Sequence, residues 1–328
     1  MAEFGLRRAV LWAGLAFLVV LPPLALALDE PFYVTLFTRI LIFALAAVSL
    51  DLILGFGGLV SFGHAVYLGL GAYGVGIFIH HAYEGSGVYF LPALAGTDLA
   101  WVAWPLALLA CALFALVTGL IVLRTSGVYF IMITLAFAQM MFFFFNSQLD
   151  YGGEDGLVLY GRSTGLGLDL GDRATFYYLC LGLLLAVLYL FHRIVHSRFG
   201  QVLTGIRENE RRMAAIGFPT FRYKLVAYVI AGTTCGLAGI LMANLNEFVS
   251  PAFMHWTRSG ELIVMVVLGG MGTLTGPVLG AVAFLLLEEV LSDLTQHWMA
   301  ILGPILILIV LFARQGIYGL LGPRGDRP

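Results

Sequence analysis

Charge is scarce in this sequence: Asp, Glu, Lys and Arg make up 11% of its 328 residues, where an ordinary soluble domain carries about a quarter. A soluble globular fold is thereby excluded. Disorder is excluded as well, because 61% of the residues are hydrophobic and disordered chains are poor in apolar side chains. Cysteine is nearly absent. Cys111, Cys180 and Cys235 lie singly in apolar stretches, which offers no disulfide framework and no metal-ligand spacing, so they read as small core hydrophobes. Lysine occurs once, at Lys224 after Tyr223, whereas a phosphate-cradling GxxxxGK(S/T) loop needs one after its second glycine. The chain is therefore expected to hydrolyse no nucleotide itself and to hold no cofactor. An arginine-lined voltage-sensing helix and a TVGYG channel filter are missing too. With a net charge of −2 and no basic stripe, nothing points to nucleic acid.

What remains is an all-α, polytopic integral membrane protein, and the mean hydropathy of +0.97 agrees. A spanning helix needs roughly 20 apolar residues. Six stretches in the first part of the chain qualify: Ala9 to Leu28, Tyr33 to Leu54, Leu59 to His80, Leu99 to Leu123, Val128 to Phe145 and Thr175 to Val195. Leu225 to Leu245 and His297 to Ala313 follow, with a broken apolar region from Gly260 to Leu291 between them. The first run, behind Arg7 and Arg8, is longer than the core of a signal peptide and is expected to stay as a span.

Lys and Arg mark cytoplasmic loops. Arg7 and Arg8 place the N-terminus inside, and alternation puts the Asn146 to Ala174 loop, with five acids and two arginines, outside. The His192 to Lys224 loop, with seven of the seventeen basic residues, falls inside. Arg314, Arg324 and Arg327 place the C-terminus inside as well. An even number of crossings must then lie between Glu247 and the last span. Gly260 to Thr273 is too short for one span at about 1.5 Å per residue, so either a re-entrant hairpin or two short tilted helices turns at Gly269-Gly270-Met271-Gly272-Thr273. The total is eight spans plus a hairpin, or ten.

Ionisable groups inside a membrane are candidates for function because burying them is costly. Asp51, Glu261, Glu288 and Glu289 read as interfacial residues reaching the headgroups, and Glu288, Glu289 and Asp293 form an acidic outer end without a basic residue. His64 sits deeper, as a hydrogen-bonded core residue or as a proton relay. Two glycine-rich breaks, Gly55 to Gly76 and Gly269 to Gly280, serve close helix packing or mark a substrate path, as paired interruptions do in transporters. At helical spacing Ser61, His64, Leu68 and Gly71 share one face. Phe142 to Phe145 face lipid or an apolar path. Between spans, Val202, Ile206, Met213 and Ile216 fall on one face of a helix and Arg207, Glu208, Arg211 and Arg212 on the other, with Gly217 placed for its C-terminal cap. Mixed charge there suits a protein-docking surface better than a lipid binder.

These residues resemble a family. Gly58-Leu59-Val60-Ser61-Phe62-Gly63-His64 through Tyr73, Arg124-Thr125-Ser126-Gly127-Val128-Tyr129-Phe130 through Ala136, Tyr151 to Leu157, Ile206-Arg207-Glu208-Asn209-Glu210 through Gly217, and Val267 to Gly272 with Gly276-Pro277 are together similar to the permease subunits of branched-chain amino acid ABC importers, close to the LivM-like branch. The resemblance implies one transmembrane permease domain over 1–328 in a bacterial inner membrane. It implies a second, homologous permease subunit, two ATP-binding subunits and a periplasmic binding protein that delivers substrate. A coupling loop over 196–224 would contact the ATPases through Arg207, Glu208, Glu210, Arg211, Ala214, Ala215 and Gly217. Candidate pathway residues are Ser61, His64, Tyr67, Tyr73, Thr134 and Gln139, with Gly269, Gly270 and Gly272 shaping backbone. The expected cargo is branched-chain or other hydrophobic amino acids, with urea, short amides or aromatic acids as alternatives. A proton-coupled secondary transporter using His64 or Asp51 is the reading from a different class.

Overall fold

A computed structural model of the chain describes residues 2–85, 87–88, 91–165, 167, 169–295, 297, 300–304, 307 and 316–320. Helices α1 (Ala2–Ala27), α2 (Pro31–Asp51), α3 (Ala65–Glu84), α4 (Ala100–Val122), α5 (Val128–Asn146) and α6 (Arg173–Val195) come first. Then follow α7 (Arg198–Ala215), α8 (Thr220–Asn246), α9 (Trp256–Gly269), α10 (Gly276–Leu294) and the short α11 (Gly316–Leu320). Two-residue and five-residue strands β1 (Gly87–Val88) and β2 (Leu91–Ala95) pair antiparallel, as do β3 (Leu157–Val158) and β4 (Phe248–Val249). The protein is thus an all-α, multi-pass membrane protein: among the described residues, six helices are long and apolar enough to cross a membrane. Expected span ends agree with α4, α5 and α6 to within about two residues. His297 to Ala313 lies largely outside the described residues.

Helix α2 is the axis of the bundle. It is apolar all round, and such a helix belongs in a core; from Leu36 to Asp51 nearly every side chain is buried against α8, α10, α6 and α9. Helices α3 and α8 cross with almost no side chain between them, since a Cβ on Gly71 would overlap the carbonyl of Gly236, and one on Gly239 the carbonyl of Leu68. This close approach is how small residues hold helices together where lipid removes the hydrophobic driving force. Conversely, α5 turns Met132, Met140, Phe143 and Phe144 outward, a surface suited to lipid or another apolar partner.

The broken region folds as the antiparallel hairpin α9–α10. Its turn uses Gly270 (φ 120°) and Gly272 (φ 74°), backbone that residues with a Cβ rarely adopt. At the other break the expectation of a helix from Leu59 fails. Helix α2 ends in a π-helical turn, Leu52–Phe56, Gly58 takes φ 68°, and α3 starts only at Ala65. The stripe of Ser61, His64, Leu68 and Gly71 is therefore not one helical face, and all four residues are buried.

Helix α7 departs from expectation in a similar way. At Asn209 the backbone is extended (φ −158°, ψ 95°), and the Asn209 side chain accepts a hydrogen bond from the Arg212 N–H at 2.9 Å. Asn thus caps a second helical segment. Val202, Leu203 and Ile206 are buried before the kink, but the change of direction leaves Ile216 63% exposed.

Candidate functional site

Two sites emerge, one at the first glycine break and one where α7 meets both breaks. At the first, the largely buried non-helical stretch before α3 has its backbone satisfied by hydroxyl side chains, one of its own and two from distant helices. The Phe62 N–H donates to Thr134 Oγ1 (3.2 Å), the Gly63 N–H to Ser61 Oγ (3.3 Å) and the Ala65 N–H to Ser259 Oγ (3.0 Å). Irregular backbone at membrane depth requires such burial inside protein. His64 is fully buried. Its Nε2 lies 2.9 Å from Ser49 Oγ, whose single proton goes to the Ala46 carbonyl at 2.7 Å. The imidazole must then be the donor, with its proton on Nε2. Nδ1 is left as a buried acceptor without a hydrogen-bond partner among the described residues.

Tyr67 packs edge-on to His64 with ring centroids 5.7 Å apart and bonds Thr118 at 3.1 Å. Ser61, His64, Tyr67 and Thr134 are thus gathered around the break. Tyr73 stands apart, stacked on Phe145 at 4.3 Å. The Tyr73 hydroxyl and Gln139 Nε2 are both buried without partners among the described residues. Gly269 serves packing: a Cβ there would overlap the carbonyl of Gly276.

The second site joins α7 to both breaks. Arg207 Nη1 donates to the Gly55 carbonyl inside the π-helical turn, and its stem lies against Gly58. Asp51 Oδ1 accepts from the Gly272 N–H at 2.9 Å. Asp51 is 1% exposed, so it does not reach outward to headgroups as expected; the hairpin turn closes over it. Lys224, 6% exposed, pairs with Glu210 at 2.6 Å. Glu208, Arg211, Ala214, Ala215 and Gly217 lie on the exposed side. Arg207 is exposed as well, but its guanidinium and the Glu210 carboxylate bond to the body of the bundle, which sets these two inward ties apart from the outward surface.

Residues 32–312 match the protein family described as "Branched-chain amino acid transport system / permease component". The chain belongs to this family. The match spans both breaks, α7 and the Arg207 junction. The permease is 30% identical to the high-affinity branched-chain amino acid transport system permease protein LivM of Salmonella typhimurium, over 92% of this chain and 74% of that protein. It is 29% identical to LivM of Escherichia coli, over 94% and 76%. With the permease protein LivH of Escherichia coli it shares 26% identity over 41% of this chain and 44% of that protein. No solved structure matches the permease.

The residues that sequence reading passed over are ionic. Arg39 in α2 pairs with Glu288 of α10 at 3.1 Å, so the acidic end of α10 is answered from another span. Arg258 pairs with Glu261 at 2.8 Å. A cation inside the apolar run of α2 was the available signal for Arg39. Ser49 and Ser259 carried none, since a serine in a span usually bonds its own helix.

Proposed function

We propose that this permease is the membrane subunit of an ATP-driven importer and forms half of a translocation pathway for branched-chain or other hydrophobic amino acids. The observation that carries the reading is Arg207. It lies two residues before the kink of a partly exposed, charged helix and reaches the backbone of the π-helical turn beside the α9–α10 turn. A push on the outward surface of α7 is thereby delivered to both helix breaks at once. ATP-binding subunits docked on Glu208, Arg211, Ala214, Ala215 and Gly217 would supply that push on closing, and the two packed breaks would rearrange as rigid bodies.

Similarity to both LivM and LivH supports a second, homologous permease as partner. The density of basic residues around α7 supports its placement in the cytoplasm, with both termini inside and the α5–α6 loop facing an external binding protein across the inner membrane.

The test is purification of the tagged chain in mild detergent with its associated subunits, followed by ATPase and uptake assays with leucine and a loaded binding protein. Co-purifying ATPases stimulated by the loaded binding protein are expected. Uptake by the chain alone, driven by a pH gradient, would overturn the reading.

A further inference from the structure

We propose that the cavity between Arg39 and Arg258 is a transit site for the cargo, in which these guanidiniums hold the carboxylate of an apolar amino acid. The proposal rests on the importer reading above and assigns its substrate a place. The cavity measures about 220 Å³ and is lined by Arg39, Phe43, Leu68, Met242, Asn246, Phe253 and Arg258. It is smaller than the roughly 300–1,000 Å³ of drug-sized sites, so it admits one small molecule. Arg39 lies about 12 Å along α2 from its start, at about 1.5 Å per residue, where a cation is expensive and usually marks a pathway.

The arginines come from different helices, α2 and α9, yet line one cavity. Each commits one nitrogen to its own glutamate, Arg39 Nη2 to Glu288 and Arg258 Nη1 to Glu261. A guanidinium carries five N–H donors in a fork that matches a carboxylate, so donors remain for a second one. The two ion pairs together are neutral. A zwitterion adds no net charge to this set, whereas a simple anion does, and charge at this depth is costly. Phe43, Leu68, Met242 and Phe253 surround the rest of the space with apolar surface, which suits an aliphatic or aromatic side chain. The Asn246 amide supplies a neutral polar group for the ammonium. The ligand class is therefore a hydrophobic α-amino acid.

The experiment uses the complete transporter in nanodiscs with Phe253→Cys as a reporter; the native cysteines are all buried. The rate of modification by a small thiol reagent is measured with leucine and with leucinamide, which lacks the carboxylate. Leucine is expected to slow modification and leucinamide to leave it unchanged. Arg258→Gln should raise the leucine concentration for half-protection by about tenfold or more, the worth of a charge-assisted bond, with Arg258→Lys between. The double variant Arg39→Gln/Glu288→Gln keeps the site neutral and should lose protection while the complex stays monodisperse. If the reporter transporter takes up leucine with ATP but leucine gives no protection, the cavity is not the site; if leucinamide protects equally, the guanidiniums do not hold the carboxylate and the proposal falls; in both cases the importer reading stands. If the wild-type complex takes up no apolar amino acid with ATP, the importer reading falls and the cavity assignment with it.

Discussion

Asp51 accepts a hydrogen bond at 2.9 Å from the backbone N–H of Gly272, 221 positions further along the chain. This bond pins the α9–α10 turn to the end of α2, beside the Gly55 carbonyl that Arg207 holds. Removing the carboxylate leaves a donor facing protein instead of water, a loss of about 1–3 kcal/mol. Asp51→Ala should lower thermal stability in detergent accordingly. Asp51→Asn keeps an acceptor oxygen and should recover most of the loss; equal stability of wild type and Asp51→Ala would show that the bond contributes nothing.

Glycine at position 55 is required by the same junction. A Cβ there would overlap both Asp51 Oδ1 and the Gly272 nitrogen, and such overpacking costs about 1–3 kcal/mol. At Gly182 nothing lies within 4 Å of an added Cβ, and alanine is a better helix former than glycine by about 1 kcal/mol. Gly55→Ala should lower the melting temperature and Gly182→Ala leave it unchanged or raise it.

Arg207 and Arg211 are separated by the proposed mechanism. Arg207→Ala should leave ATP hydrolysis running while uptake per ATP falls several-fold, because the tie to Gly55 is lost. Arg211→Ala, on the outward surface, should instead weaken co-purification of the ATPases. Wild-type stoichiometry in reconstituted Arg207→Ala would remove α7 from the coupling path.

Lys224 and Glu210 test how an almost buried cation is kept. Glu210→Gln leaves the Lys224 ammonium without its anion; Glu210 is itself 43% exposed, so water softens the loss to about 1–2 kcal/mol. Lys224→Met/Glu210→Gln should be more stable than Glu210→Gln alone, a coupling that a double-mutant cycle reads directly. Additive effects would mean that the pair does not interact energetically.

Asp172 provides a pH signature. It caps α6 by accepting from the Thr175 hydroxyl at 2.7 Å and N–H at 2.9 Å, bonds that hold its carboxyl below the usual carboxylate range. A depressed value in the folded state means that the cap stabilises fully above the unfolded value, near pH 4, and is lost as pH falls through the folded value. Asp172→Ala should cost about 1 kcal/mol at neutral pH, and the difference from wild type should vanish in acid. A difference that persists unchanged at low pH would rule out the ionised cap as its source.

The membrane character, the ends of α4, α5 and α6 and the turn at Gly269 to Thr273 were legible because each depends on local chain properties: apolar run length and glycine density. The amphipathic half of α7 up to Ile206 was legible for the same reason. Local pattern could not give the late start of α3 at Ala65 or the burial of Asp51, because these depend on Ser259, Thr134 and Gly272 arriving from elsewhere in the fold; the kink at Asn209 is held by a local cap to Arg212, which a helical-spacing pattern steps over. Hydropathy also cannot tell a helix that faces protein from one that faces lipid, since hydrocarbon tails are as apolar as leucine. The α2 span and α5 are equally apolar, yet the first is almost wholly buried inside the bundle and the second is mostly not. The sequence determined that both belong in a membrane; only the packing of α2 against α8 and α10 decided which of them builds the core, and with it placed Arg39 opposite Glu288.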